Sequence, residues 1–339
     1  LYTDDRPDNI AYIMSDSAVK VLLVQDAAVW KRLGPALAGQ DDLQRVLILD
    51  GSRSGTTEVL QDTRVRLVSD WLPTAAPPLH QRNGDPHALA SIVYTSGTTG
   101  RPKGVMLTHN NMLSIAHSAL TMIDVYQEDL FLSFLPLSHT LERTAGYYLP
   151  VMSGSAVAYA RSIMQLAEDL QHIRPTVMIA VPRIFERVFS RIQGQMDKQS
   201  GFKRALFNLT TEVGWHRFEY QQTRAGWRPR LLLWPLLNRL VASKVTAKLG
   251  GRLRMSVSGG AALSKPVAQI FIGLGVPILQ GYGLTETSPV ISVNVPEDNE
   301  PGSVGIPLNG VQARIGDDEE LLVKTPGMMR GYWNNHAAT

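Results

Sequence analysis

The chain has 339 residues, 44% of them hydrophobic and 19% charged, which places it with globular proteins and excludes an intrinsically disordered one. No apolar run reaches the ~20 residues of a membrane-spanning helix, and the longest candidate, residues 231–237, is interrupted by Pro235. There is no cysteine, so disulfides, thiolate zinc sites and a cysteine nucleophile are excluded; a reducing cytoplasm is compatible with that.

The N-terminal part alternates two periods. Residues 9–17 predict a helix, 19–24 a buried strand, 27–37 a second helix and 45–49 a second strand. That alternation is the pattern of α/β layers with parallel strands. Residues 73–86, rich in Pro and polar side chains, predict a surface connection. The alternation then resumes with strand 91–94, helix 110–122, strand 129–134, a helix over 140–152 after Pro136, and a short strand at 176–181. From 183 to 249 only helical patterns occur, broken near Gly201 and at 226–229. Strand 253–257, helix 265–273 and strand 276–280 close the alternating part.

The net charge of +3 is unevenly spread: residues 161–254 hold 17 Lys and Arg against 6 Asp and Glu, a net of +11. Such a block suits nucleic acid, an anionic membrane or a polyanionic cosubstrate, and equally a set of solvated helix faces.

Three loops follow strands and carry chemistry. The first, Thr95-Ser96-Gly97-Thr98-Thr99-Gly100-Arg101-Pro102-Lys103-Gly104, holds hydroxyls, glycines and a lysine between two apolar runs. Glycines let backbone N–H groups approach phosphate oxygens, hydroxyls add donors, and Lys103 supplies countercharge. It is not a Walker A loop, since no Gly-Lys-Ser/Thr opens a helix. The bland alternative is a Ser/Thr/Gly-rich hairpin with no ligand. The second loop is Gln280-Gly281-Tyr282-Gly283-Leu284-Thr285-Glu286, in which Tyr282 suits a purine, Thr285 a phosphate oxygen and Glu286 a hard cation such as Mg²⁺. Alone its Gly-x-Gly is a weak signal. The third, Ser258-Gly259-Gly260-Ala261-Ala262, fits a flat ring or a plain helix entry. In open α/β sheets ligands gather beyond the carboxyl ends of strands.

Residues 95–104 resemble the phosphate-loop motif of the adenylate-forming (AMP-binding) superfamily, and residues 281–287 resemble its second core motif. Leu135-Pro136-Leu137-Ser138-His139-Thr140-Leu141-Glu142-Arg143 is similar to the acyl-pocket motif of the long-chain fatty acid–CoA ligase (acyl-CoA synthetase) branch. Residues 174–183, the helical stretch after them, and Lys324-Thr325-Pro326-Gly327-Met328-Met329-Arg330-Gly331-Tyr332 also resemble that branch.

The resemblance implies an α/β fold: the large N-terminal domain of adenylate-forming enzymes, with stacked, helix-covered, mostly parallel sheets. Its expected portions are a first α/β part at 1–72, the connection at 73–86, a phosphate-loop and acyl-pocket part at 87–182, a helical insertion at 183–249, and an adenine- and Mg-binding part at 250–339. The family's ribose-binding motif and small C-terminal domain would follow residue 339, and further strands would precede Leu1. The expectation is therefore a partial domain, inactive by itself.

The implied activity is AMP-forming acid–thiol ligation, in which a long-chain fatty acid and ATP give acyl-AMP, and coenzyme A then takes the acyl group. By the same resemblance, Thr95 through Gly100 with Lys103 would hold phosphates, and Thr95 and Glu286 would hold Mg²⁺. Gly260, Ala261, Gln280, Gly281 and Tyr282, with Gly283 in the turn, would surround adenine. Thr285 would touch the α-phosphate and His139 the reacting carboxylate; a structural histidine is the alternative for His139. The other histidines show no paired metal-ligand spacing.

Alternatives are an acyl-AMP ligase, a ligase for a shorter or aryl acid, and a non-catalytic nucleotide-binding fragment. No nucleic-acid partner is expected. A cytoplasmic protein with peripheral contact at the inner membrane face is expected, through the Trp-, Leu- and Arg-rich residues 224–239.

Overall fold

The computed structural model describes residues 1–2, 5–75, 83–95 and 100–339 and separates into two compact units. The first comprises Leu1–Met106 together with Gly331–Thr339. Its helix Pro7–Asp16 starts on a proline, whose missing N–H costs nothing at that position, and buries Ile10, Ile13 and Met14. Strands β1 (Val21–Asp26), β2 (Arg45–Asp50) and β3 (Val65–Leu67) form a parallel sheet in the order β1-β2-β3.

The expected buried strand at the start of this sheet is in fact half buried. Leu22, Val24 and Asp26 face the core around Trp30, whereas Val21 and Leu23 face out. Asp26 ends β1 and caps helix Ala27–Leu33 by accepting from the Val29 N–H at 3.0 Å.

Strands β4 (Leu89–Thr95) and β5 (Lys103–Thr108) pair with each other. The C-terminal segment packs against them: Met106 N–H donates to Gly331 O at 3.1 Å, Trp333 N–H to Gly104 O at 2.7 Å, and the Trp333 indole to Asp16 O at 2.8 Å. Gly104 is required by this contact. A Cβ there would lie 2.8 Å from Ile92 and 3.2 Å from Trp333.

The second unit, Leu107–Arg330, is built on one seven-stranded sheet. Its strands are β6 (Leu130–Ser133), β7 (Ala156–Tyr159), β8 (Val177–Ala180), β9 (Met255–Ser258), β10 (Ile278–Gly283), β11 (Val290–Val293) and β12 (Ile306–Pro307), in the order β12-β11-β10-β9-β8-β6-β7. The run from β7 through β10 is parallel, and β11 and β12 add antiparallel. Strands β13 (Gln312–Ile315) and β14 (Leu321–Lys324) make a separate antiparallel pair.

Both faces of the parallel strands are covered, so β8 reads as the continuous apolar run Val-Met-Ile-Ala rather than an alternation. Successive side chains point to opposite faces. Met178 and Ala180 join Phe185, Phe271 and Ile278 on one side, and Val177 joins Phe131, Ile115 and Leu279 on the other.

Between β8 and β9 the chain is helical, as the sequence predicts, with helices Pro182–Met196 and Gly201–Gln221 followed by a helical run from Pro229 to Lys248. Helix Gly201–Gln221 crosses helix Lys265–Gly273 at backbone contact, because a Cβ on Gly214 would lie 1.8 Å from Gly273 O. At the amino ends of β6 and β9, buried Asp129 pairs with Arg254 and accepts from the Thr176 hydroxyl at 2.7 Å. Burial alone would raise the Asp129 carboxyl; its hydrogen bonds with Arg254, Tyr126 N–H and Thr176 outweigh that and hold it below the usual range.

Candidate functional site

Parallel strands put all their carboxyl ends on one side, and the register aligns Ala180 and Ser258, the last residues of β8 and β9, with Gln280, the last residue of β10 paired to β9. Gln280 is buried; its side-chain carbonyl accepts from Leu263 N–H at 2.9 Å, while its Nε2 has no partner among the described residues. The buried Ser258 hydroxyl beside it in register also has no partner. Two unspent donors thus sit side by side at the strand ends, an arrangement that costs stability unless something polar completes it.

Above them the backbone comes close. A Cβ on Gly259 would meet Leu141 at 3.2 Å and Gly281 O at 3.8 Å, so the loops after β9 and within β10 converge with the segment after β6. Gly260 takes a left-handed φ of +81° and is exposed beside Ala261. The register of β10 against β11 shifts between Tyr282 and Gly283, and a Cβ on Gly283 would fall 1.6 Å from Pro289 O. Only glycine fits this bulge.

The turn Thr285–Thr287 follows, pinned by the Thr287 hydroxyl, which donates to Leu284 O and Pro289 O at 2.9 Å each. Segment 325–329 buttresses it: Met329 N–H donates to Glu286 O at 2.8 Å, Ser288 donates to Gly327 O at 2.8 Å, and a Cβ on Gly327 would lie 2.4 Å from Thr287 O. This gives residues 327–329 of the Lys324–Tyr332 sequence motif a physical role within the second unit. The Glu286 side chain is half buried.

The stretch after β6 lies along the same turn. Thr140 Oγ is 3.4 Å from Thr285 Oγ, and one helical turn later the Thr144 hydroxyl donates to Ser288 O at 3.2 Å. His139 Nδ1 accepts from Leu141 N–H at 3.2 Å, and burial pushes the ring's pKa down. With Nδ1 accepting, Nε2 is the ring nitrogen that carries a proton.

The expected helix over 140–152 is a π-helix at Glu142–Tyr148 continued by Leu149–Ser153. Glu142 is buried, and among the described residues neither carboxyl oxygen has a hydrogen-bond partner of normal geometry. Burial raises its pKa to about 7, with the Ser133 hydroxyl close enough to oppose part of the shift. Arg143 turns away and donates to Leu137 O at 2.9 Å, so the Glu-Arg sequence pair splits between interior and rim.

In the first unit, Thr95 ends β4 half buried, Gly100 is exposed, and Lys103 opens β5 with its ammonium 5.2 Å from the centre of the Tyr332 ring. Arg101 lies over Tyr12 at 5.0 Å. Ser96, Gly97, Thr98 and Thr99 lie outside the described residues. Among the described residues no group of three or more His, Asp and Glu side chains forms a metal cage.

In the second unit the structure thus brings together His139, Gly260, Ala261, Gln280, Gly281, Tyr282, Gly283, Thr285 and Glu286 along the strand-end loops. Ser258, Thr140 and Thr144 join them and were not singled out from sequence. Ser258 opens the third loop and Thr140 follows His139 directly, so position alone would have flagged both.

A doubly covered, mostly parallel sheet with glycine-built loops beyond its carboxyl ends defines an α/β fold of the class whose ligands gather at those strand ends. The chain belongs to the AMP-binding enzyme family, which it matches over residues 1–333. It is 32% identical over 349 residues to the long-chain-fatty-acid–CoA ligase FadD15 of Mycobacterium bovis, a match covering all of this chain and 56% of that protein. It is also 32% identical over 328 residues to fatty acyl-CoA synthetase A of Dictyostelium discoideum, covering 95% of this chain and 47% of that one.

Among solved structures it resembles the anthranilate CoA ligase AuaEII in complex with anthranoyl-AMP, with TM-score 0.68, 18% identity, and 99% of this chain and 56% of that chain covered. It also resembles ATP-bound MatB of Rhodopseudomonas palustris, with TM-score 0.67, 21% identity, and 98% and 56% covered. At these identities the structural likeness speaks for the fold alone. The chain spans about half the length of the curated relatives it matches.

Proposed function

We propose that the protein activates a long-chain fatty acid with ATP and passes the acyl group to coenzyme A. A carboxylate oxygen attacks the α-phosphorus of ATP, the bond to the β-phosphate breaks, and pyrophosphate leaves with the electron pair, giving acyl-AMP. The thiol sulfur of coenzyme A then attacks the acyl carbon, the thiol proton is lost, and AMP leaves. There is little covalent work for the protein in the first step beyond positioning and charge stabilisation.

The observation that carries this reading is the Thr140–Thr285 approach at 3.4 Å, which joins the acyl-motif segment to the turn that would face the α-phosphate. Gly260, Ala261, Gly281 and Tyr282 offer flat and open backbone for adenine. The unspent Gln280 Nε2 and Ser258 Oγ fit an acceptor-rich heterocycle. His139, whose Nδ1 is already accepting, would donate from Nε2 to the substrate carboxylate.

In the first unit Thr95, Gly100 and Lys103, with residues 96–99, would hold the β- and γ-phosphates. Mg²⁺ keeps several waters and typically takes one or two carboxylates plus phosphate oxygens, so Glu286 suits one of its ligands in the second unit, and Thr95 of the first unit is proposed as a ligand from its sequence motif alone. Bound there, the ion would neutralise phosphate charge.

Long-chain preference draws support from the fatty-acyl relatives named above and from the motif at 135–143. Peripheral membrane contact is narrowed by the ion pairs of Arg224 with Asp298 and Glu300 and of Arg230 with Glu212. The exposed residues left for contact with an anionic surface are Trp227, Leu232, Leu233 and Leu236, with Arg228 and Arg239.

The test is Glu286→Gln in the intact protein at saturating Mg²⁺. Fatty-acid-dependent pyrophosphate release is expected to fall by about 10²–10³-fold, the range typical for loss of one transition-state charge contact. Wild-type rates would remove Glu286 from the site.

A further inference from the structure

The helical stretch between β8 and β9 contains a groove of about 530 Å³ that the proposed chemistry does not use. It runs between helices Pro182–Met196 and Gly201–Gln221 and the helical turns around Asn238–Lys248. Its floor is aliphatic and aromatic: Val188, Ile192, Leu206, Val241 and Val245 are half buried over Leu249. Phe202 and Leu240 stand at its rim, 76% and 41% exposed.

The rim is cationic and not neutralised. Lys203, Lys244 and Lys248 line the groove, and no Asp or Glu does. Among the described residues Lys203 bonds only the Gln199 side-chain carbonyl, at 3.1 Å. Lys244 and Lys248 are one helical turn apart on the same face, where like charges repel. An apolar trough leaves its lining short of contacts, and three clustered ammonium groups cost self-repulsion. A single ligand with one apolar chain and one anionic head removes both costs.

We infer that this groove is a second binding site for a long-chain fatty carboxylate, with the chain along the Val188–Val245 floor and the carboxylate among Lys203, Lys244 and Lys248. The volume lies within the range of small-molecule sites. The concave shape favours a detached chain over a bilayer, since a flat lipid surface reaches rim residues such as Phe202 but not the floor between the helices. The inference rests on the groove's own chemistry and not on the proposed ligase activity.

A diazirine-bearing palmitate analogue, photolysed with the protein below its critical micelle concentration and mapped by peptide mass spectrometry, tests it. Label is expected on peptides covering 188–207 and 240–249. The triple variant Lys203→Glu, Lys244→Glu, Lys248→Glu is expected to lower that label by about tenfold, the loss of roughly one decade in affinity. Val245→Trp, which fills the floor and keeps the charge, should lower it as well. Label elsewhere on the chain serves as the internal reference, and circular dichroism confirms that both variants stay folded.

Absence of label on these peptides would overturn the site. So would equal labelling by the analogue's methyl ester, which would show an apolar trough blind to charge. Labelling that appears only when the analogue is carried in anionic vesicles would replace the free carboxylate with a membrane surface and overturn the inference too. None of these outcomes touches the Glu286 experiment.

Discussion

The parallel sheet of the second unit and the helical run between its β8 and β9 both carry large apolar residues but use them differently. In the sheet, Met178 is 1% exposed and Val177 and Ala180 are fully buried. In the helical run, Leu232, Leu236 and Phe202 are 72%, 57% and 76% exposed. Apolar sequence in the sheet is consumed by packing on two faces. In the helical run much of it is left over after a narrow line of contact with helix Lys265–Gly273, and surplus apolar surface of that kind marks a place where something else binds.

The sharpest way to break this comparison is at that line of contact. Gly214→Val would drive a side chain into the Gly273 carbonyl, and either the helices separate or the crossing shifts. The expected loss is about 4 kcal/mol or more, at the upper end for single substitutions. Met178→Ala, in the sheet, should cost about 2–5 kcal/mol through the cavity it leaves. Denaturant titration of both variants checks this. A near-neutral Gly214→Val would mean that the helical run is not docked as described.

Next in size is the ion pair at the amino ends of the strands. Asp129→Asn strands the Arg254 guanidinium beside a neutral amide and should cost about 3 kcal/mol. The pH dependence follows from the sign of the shift. Asp129 is held below its ordinary value in the fold, so its contribution is complete above the unfolded pKa and is lost as pH falls through the folded one. The difference between wild type and Asp129→Asn should therefore shrink below about pH 4. A difference that stays constant to pH 3 would contradict the assignment.

Glu142 has the opposite sign. Its folded pKa of about 7 lies above the ordinary carboxylate value, so the native state binds the proton more tightly than the unfolded chain does. Wild-type stability should fall as pH rises from about 4.5 through 7, by roughly 3 kcal/mol in all. Glu142→Gln, neutral throughout, should be flat over that window and more stable than wild type at pH 8. Equal pH profiles for the two proteins would show that Glu142 ionises without penalty.

How much of this was legible in sequence follows from the same contrast. Helix Lys265–Gly273 was read to the residue because it carries one clear period, and β8 to within one or two because it is an unbroken apolar run ahead of a proline. The half-buried character of β1 was missed, since Val-Leu-Leu-Val looks the same whether one face or two are covered. Strands β3, β7 and β11 to β14 were missed because they are two to four residues long, too short to show a period. The loops after β9 and β10 were found from their glycines and hydroxyls. The buried, partnerless state of Glu142 was not, because a charged residue in sequence gives no sign of which way the π-turn will point it.

The smallest expected effect completes the contrast. Leu232 is a large aliphatic residue in an apolar run, and sequence alone would rank Leu232→Ser beside Met178→Ala. In the structure it is 72% exposed, so the change removes little buried area and leaves almost no cavity. Exposed substitutions away from caps and special backbone usually stay within about 0.5 kcal/mol. If the leftover surface serves a lipid interface, the variant should keep its midpoint in urea yet float less well with anionic vesicles, because an interfacial leucine contributes only where apolar area is buried. Unchanged stability with unchanged flotation would confine the binding role of this stretch to the lysine-rimmed groove. A loss above 1 kcal/mol would mean that Leu232 is packed, and that the helical run is closer in kind to the sheet than its exposure indicates.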